Sequence, residues 1–142
     1  MIGGLTVIVD QITKALVVSS FAPGASRPLL PFLHLTYVQN TGAAFGIFKG
    51  QQAWFIVSSM AVIGWIAWEW LTRPAPKPAI LWGTALVFGG AIGNLIDRIR
   101  LSYVIDFIDL RVWPVFNVGD SAITVGVTLI ILHAFLHPRS GP

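Results

Sequence analysis

Apolar residues in this chain gather into four long runs, and most of the acidic residues fall near the run ends. The runs cover residues 2–22, 53–71, 79–96 and 121–136. A helix needs about 20 mostly apolar residues to cross roughly 30 Å of hydrocarbon, and each run is close to that length. Only the first carries charge well inside, at Asp10 and Lys14 with Gln11 between them. Pro23 and Gly24, then Pro74, Pro76 and Pro78, then Pro138 punctuate the ends as helix breakers should. Between the first two runs, Phe32 to Gln39 is rich in aromatic and branched residues with partial alternation, which reads as an extended strand at the interface. It leads into Asn40-Thr41-Gly42-Ala43-Ala44-Phe45-Gly46, where small residues permit close backbone approach. The expected fold is an all-α membrane protein of one domain, residues 1–142. It has four transmembrane helices with a small extended β element and an interfacial loop.

Four crossings leave both termini on one side, with the longer segments 23–52 and 97–119 together on the other. Charge does not say which side is which. Arg73, Lys77 and Arg139 stand against Arg27, Lys49, Arg98, Arg100 and Arg111, so the positive-inside rule leaves orientation open. Trp65, Trp68 and Trp70 form an interfacial belt, which occurs at either face.

Composition narrows the function classes. A content of 55% hydrophobic residues is too apolar for a soluble domain of 142 residues. Residues 1–9 hold no basic residue, so the first run reads as a span and not as a cleavable signal. With no cysteine there are no disulfides, thiolate metal sites or cysteine nucleophiles. The net charge of +3 is spread over single residues, which argues against nucleic acid and suits anionic lipid headgroups.

Four of the six acidic residues, Asp97, Asp106, Asp109 and Asp120, fall in the stretch 89–120. Asp10 and Lys14, spaced i, i+4, share a helix face and read most simply as a structural ion pair. Asn94, Asp97 and Arg98 share a face of the third helix, after Gly89, Gly90 and Gly93 have cleared bulk for close helix packing. Asp97 and Arg98 are either interfacial anchors or, with Asn94, a polar face that holds substrate. Asp106 is embedded among apolar neighbours. Asp120 is either an N-cap or, with Asn117 and Ser121 able to cap, a free carboxylate. Antiparallel third and fourth helices would return Asp106 and Asp120 to one end of the bundle. Two carboxylates in a partly desolvated cleft cannot both ionise cheaply, which suits them to activate a water and protonate a leaving amine. Asp109, beside Arg111, reads as a solvated loop residue. A serine–lysine dyad lacks a suitably placed lysine, and His133 with His137 lacks a third metal ligand.

The motifs carrying these residues resemble those of the lipoprotein signal peptidases, or signal peptidase II. These motifs are Asp10-Gln11-Ile12-Thr13-Lys14, Asn40-Thr41-Gly42-Ala43-Ala44-Phe45, Gly89 through Arg98, Val104-Ile105-Asp106-Phe107 and Phe116-Asn117-Val118-Gly119-Asp120-Ser121. The resemblance implies a bacterial aspartyl peptidase of the cytoplasmic membrane that works without metal or organic cofactor. Asp106 and Asp120 would then be catalytic, Asn40, Gly42, Asn94, Arg98 and Asn117 would bind substrate or support the site, and Asp10, Lys14 and Asp97 would be structural. It further implies a diacylglyceryl-modified prolipoprotein substrate cut N-terminal to the modified cysteine. Both termini would be cytoplasmic and the active site would face outward, in a monomer among membrane lipids. Gly119 departs from the alanine usual in that family and would loosen the backbone beside Asp120. Two rival readings use the same carboxylates: a proton-coupled transporter with a relay, and an assembly subunit binding a partner helix.

Overall fold

The computed structural model describes residues 1–42, 52–73 and 76–137. Among the described residues, four helices are long and apolar enough to span a membrane: α1 (Ile2–Ser20), α2 (Gln52–Thr72), α3 (Pro78–Leu101) and α4 (Val118–Leu136). Three strands, β1 (Ser26–Leu30), β2 (Leu33–Asn40) and β3 (Val104–Asp109), form an antiparallel sheet in that order. Ala43 to Gly46, Lys49, Pro74, Pro138 and Arg139, which the sequence reading used, lie outside the described residues.

α3 is the centre of the bundle, and α1, α2 and α4 all pack on it. Its glycines explain why. A Cβ on Gly90 would run into the carbonyl oxygen of Gly119 on α4, and one on Gly93 would run into the carboxylate of Asp10 on α1. Two backbones can approach that closely only where a side chain is missing, the packing mode that replaces the hydrophobic effect between helices in lipid. The outer faces carry exposed Leu5, Ile8, Ile12, Val57, Val125 and Leu132, the surface that hydrocarbon covers.

The sheet sits on the end of α1. Tyr37 of β2 and Ile105 and Phe107 of β3 bury against Val17, with Phe21 packed alongside. A bulge in β2 between Leu35 and Val38 sets the register, so that Val38 faces Asp106 and Asn40 faces Val104 on one side of it while His34 pairs with Asp109 on the other. Phe116 then adds an isolated bridge to Ile108, with Ile108 N–H donating to the Phe116 carbonyl at 2.8 Å. That bridge delivers the next residue, Asn117, to the side of β3 and starts α4 there.

Four expectations change. α3 runs past residue 96 to Leu101, because Asp97 is neutralised inside the bundle and not at its surface; it ends on Ser102 in the left-handed conformation, φ 64°. Asp97 is therefore no interfacial anchor, being 3% exposed. α4 begins at Val118, so Asp120 is its third residue and Asn117 its N-cap. Asp109 is no solvated loop residue: it ends β3, is 6% exposed, and accepts from Thr36 Oγ1 at 2.8 Å and from Arg111. Burial pushes its carboxyl up, but those hydrogen bonds outweigh burial and hold it below the usual carboxylate range.

Candidate active site

The fold brings all ten sequence-identified residues into one connected region at the sheet end of the bundle. Asn40 and Asp106 come from the facing strands β2 and β3, Asn94, Asp97 and Arg98 from α3, Asn117 and Asp120 from the start of α4, and Asp10 and Lys14 from α1. Gly42 follows β2 and gives its N–H to Asn40 Oδ1 at 3.0 Å.

Three amides hold the two carboxylates, and each amide is oriented by a group that can only donate. Lys14 Nζ has three N–H bonds, directed at Asp10 Oδ2 at 2.8 Å, Asp97 Oδ2 at 2.9 Å and Asn94 Oδ1 at 2.8 Å. An ammonium cannot accept, so Asn94 must turn its oxygen toward Lys14 and its NH2 away, where it donates to Asp120 Oδ1 at 2.8 Å. The backbone N–H of Asp120 likewise captures Asn117 Oδ1 at 2.9 Å, which aims the Asn117 NH2 at Asp106 Oδ1, 2.7 Å, and at Asn94 Oδ1, 3.1 Å. Gly42 N–H does the same for Asn40, whose NH2 reaches Asp106 Oδ2 at 2.8 Å. In return Asp120 Oδ2 accepts the Asn117 N–H at 3.3 Å, closing a capping box.

Sequence reasoning passed over Gln11, which ties this support together. Its Nε2 donates to Asp97 Oδ1 at 3.0 Å and to the Gly93 carbonyl at 3.1 Å, alongside Asp10 Oδ2. Asp97 Oδ2 accepts the N–H of Ile105, next to Asp106, at 3.1 Å, and Asp10 Oδ1 accepts that of Gly119, next to Asp120, at 2.8 Å. The three charges of α1 and α3 thus anchor the backbone beside both carboxylates. The signal was present in the sequence as a polar residue adjacent to Asp10 in an apolar run.

Gly119 is held, not loose. Its N–H is bound, and a Cβ there would sit 3.1 Å from Asn117 Oδ1, from Asp10 Oδ1 and from the Gly90 carbonyl oxygen.

Asp106 and Asp120 both line a cavity of about 220 Å³, with Arg98 at its side and Phe55, Trp113 and Phe116 among its apolar walls. Asp106 is 1% exposed. Burial, then the facing Asp120 carboxylate, pushes its pKa up to about 7, against the opposing pull of the Asn40 and Asn117 hydrogen bonds and of Lys14. A group titrating there is partly protonated near neutral pH, so two carboxylates so placed can hold a proton between them. Arg98 lies over the Phe55 ring at 5.2 Å and makes no ion pair among the described residues, so guanidinium N–H groups remain for a ligand in the cavity.

The whole chain is similar to known proteins. The family described as signal peptidase (SPase) II matches residues 2–136. A lipoprotein signal peptidase of Syntrophomonas wolfei is 48% identical over 93% of this chain and 89% of its own length. One from Halothermothrix orenii is 42% identical over 96% and 94%. A solved bacterial membrane enzyme superimposes with a TM-score of 0.91 at 32% identity, covering 99% of this chain and 89% of that one.

Proposed function

The chain belongs to the signal peptidase II family, and from that premise we propose that it is an aspartyl endopeptidase in which Asp106 and Asp120 form the catalytic pair. Its substrate is a prolipoprotein already carrying diacylglycerol, cut on the N-terminal side of the modified cysteine. The observation that carries this reading is the pair of carboxylates on one cavity, each held by an amide NH2 whose direction is dictated by an obligate donor.

The pair shares one proton. The ionised member takes a proton from a water as its oxygen attacks the scissile carbonyl, and the other gives its proton to the departing amine. Asn94, Asn117 and Asn40 keep both carboxylates aimed at that water, and Arg98 donates to substrate carbonyl oxygens. The support of Lys14 by Asp10 and Asp97 is structural. No metal or organic cofactor takes part in this scheme. The protein acts as a multi-pass monomer, with both termini cytoplasmic and the cavity toward the outer face.

The test is cleavage of a lipidated precursor by Asp106→Asn and Asp120→Asn, each isosteric. Both are expected to lose at least about a thousandfold in kcat, since neither role survives without a carboxylate. Full activity in either rejects the aspartyl mechanism.

A further inference from the structure

Two other arginines of this chain pair with the carboxylates beside them. Arg111 holds Asp109 at 3.2 Å, and Arg73 holds Glu69 at 2.9 Å even while it lies over the Trp68 ring. Arg98 behaves differently. It lines one cavity with both Asp106 and Asp120, and it stands one helical turn beyond Asn94, which donates to Asp120. Among the described residues it nevertheless makes no ion pair. The carboxylates are not saturated: their oxygens accept from Asn117, Asn40, Asn94 and the Asn117 backbone, one bond apiece among the described residues, and each retains a lone pair. A guanidinium sharing a partly desolvated cavity with two carboxylates is expected to join them, because charge-assisted hydrogen bonds are strong there.

Phe55 takes the place of that partner. α2 packs on α3, and its first turn sets the Phe55 ring 5.2 Å from the guanidinium carbon, within the range at which a ring face attracts a cation. The hydrogen bond from Arg98 Nη1 to the Asn94 carbonyl is long, at 3.5 Å. A ring face holds a cation without cancelling its charge and without taking up its N–H groups as a carboxylate would. The other charges around the pair are already committed, since Asp10 and Asp97 hold Lys14 at 2.8 and 2.9 Å. Among the described residues α2 adds only Phe55 to the cavity wall, and no charge. Arg98 is therefore the nearby charge whose seat can change. Its seat matters to the pair, because burial and then the Asp120 charge raise Asp106 to about 7. A cation moved onto either carboxylate would favour the ionised forms and lower the pH at which the proton between them is lost. It would also occupy the N–H groups that a substrate carbonyl needs.

Resting on the peptidase reading above, we propose that Phe55 is a positioning residue for that reaction. Its ring face holds the Arg98 guanidinium off Asp106 and Asp120, so the pair keeps its shared proton and Arg98 keeps its donors for substrate. Phe55 acts through Arg98 and not as a mere apolar wall.

The test is the pH profile of kcat/KM for the full-length enzyme in nanodiscs, cleaving a diacylglyceryl-modified precursor. Phe55→Leu keeps an apolar side chain and removes the ring. It is expected to lower kcat/KM about tenfold and to move the alkaline limb about one unit to lower pH, as Arg98 settles on the carboxylates. Phe55→Tyr, which restores a ring face, is expected to return the limb to its original place. Trp54→Leu, one residue earlier and 64% exposed, is the control and is expected to move neither quantity. In an Arg98→Gln background Phe55→Leu is expected to cost less than about twofold more, because the group it acts through is gone. Ring-fluorinated phenylalanines at position 55 weaken the ring face at nearly constant shape, so kcat/KM is expected to fall in order of fluorine number; this series holds even if Phe55→Leu does not fold. An unmoved alkaline limb in Phe55→Leu, equal losses with and without Arg98, or a flat fluorine series would overturn the proposal. The unsubstituted enzyme is assayed on the same precursor. Cleavage by it together with any of those three results rejects the role of Phe55 alone, whereas no cleavage rejects the peptidase reading and this inference with it.

Discussion

Asn117 donates its side-chain N–H to Asp106 at 2.7 Å, and the direction of that donation is set at the other end of the same amide, where its oxygen accepts the backbone N–H of Asp120 at 2.9 Å. One residue caps α4 and positions both carboxylates. Asn117→Ser separates the two tasks, because serine caps a helix as well as asparagine does but has no amide NH2. The expected result is a fall of about a hundredfold in kcat, the usual cost of removing a positioned donor, with a stability loss of only about 1–2 kcal/mol. Steady-state kinetics beside thermal unfolding would show it; kcat within a few-fold of the parent would mean the Asn117 donor does not matter.

The pH dependence of stability follows from Asp106. In the folded protein its pKa is pushed up to about 7 by burial and then by the Asp120 charge, whereas an unfolded aspartate titrates near 4, about the usual value. Between those values the folded state binds more protons than the unfolded one, so stability falls as pH rises. The favourable contribution is complete below about pH 4 and gone once pH has risen through about 7. Asp106→Asn cannot titrate there. Its melting temperature relative to the parent should therefore climb from about pH 4 to about pH 7 and level off above. A difference that stays flat over that window would rule out the raised pKa.

Lys14 is the only cation described within reach of two buried carboxylates, at 2.8 Å from Asp10 and 2.9 Å from Asp97. Removing one partner of a buried ionic group leaves uncompensated charge and costs about 3–5 kcal/mol. Lys14→Met should lose about that much, and the triple change Lys14→Met, Asp10→Asn, Asp97→Asn should recover much of it, since neutral amides need no counter-charge. Because Asn94 is released in both, activity should stay low in the triple variant even as its unfolding temperature returns. Recovery of activity along with stability would show that Lys14 acts only through charge balance.

What could be read from the sequence was whatever stands out locally. Four apolar runs read as spans because hydrocarbon tolerates little else, and Asp106 stood out as a carboxylate with apolar neighbours. What depended on distant partners could not be read. β3 is short, and its pairing relies on β2 some 66 residues earlier, where the bulge after Leu35 moves Thr36 into reach of Asp109. Asp109 therefore looked solvated with only Arg111 in view. The burial of Asp97 was hidden for the same reason, since its counter-charge comes from Lys14 on another helix. The orientation of the amides was the least accessible feature, because it follows from hydrogen-bond donors on three different elements.

Gly90 tests whether close helix packing carries the site. A Cβ there would collide with the Gly119 carbonyl oxygen and lie 2.9 Å from Ile123 Cγ1. The first neighbour is backbone, so relief requires α4 to move away from α3. Helix propensity alone would make Gly90→Ala stabilising by about 1 kcal/mol. Overpacking costs about 1–3 kcal/mol and should win, because a shifted α4 also stretches the 2.8 Å contact between Asn94 and Asp120. The expected outcome is a lower unfolding temperature together with a kcat reduced at least about tenfold, since loss of alignment at a positioned carboxylate is felt in the chemical step. Gly64→Ala is the matched control: nothing lies within 4 Å of a Cβ there, so propensity acts alone and stability should rise slightly with kcat unchanged. If Gly90→Ala behaved like Gly64→Ala, the α3–α4 approach would have slack and the positioning of Asp120 would not depend on it.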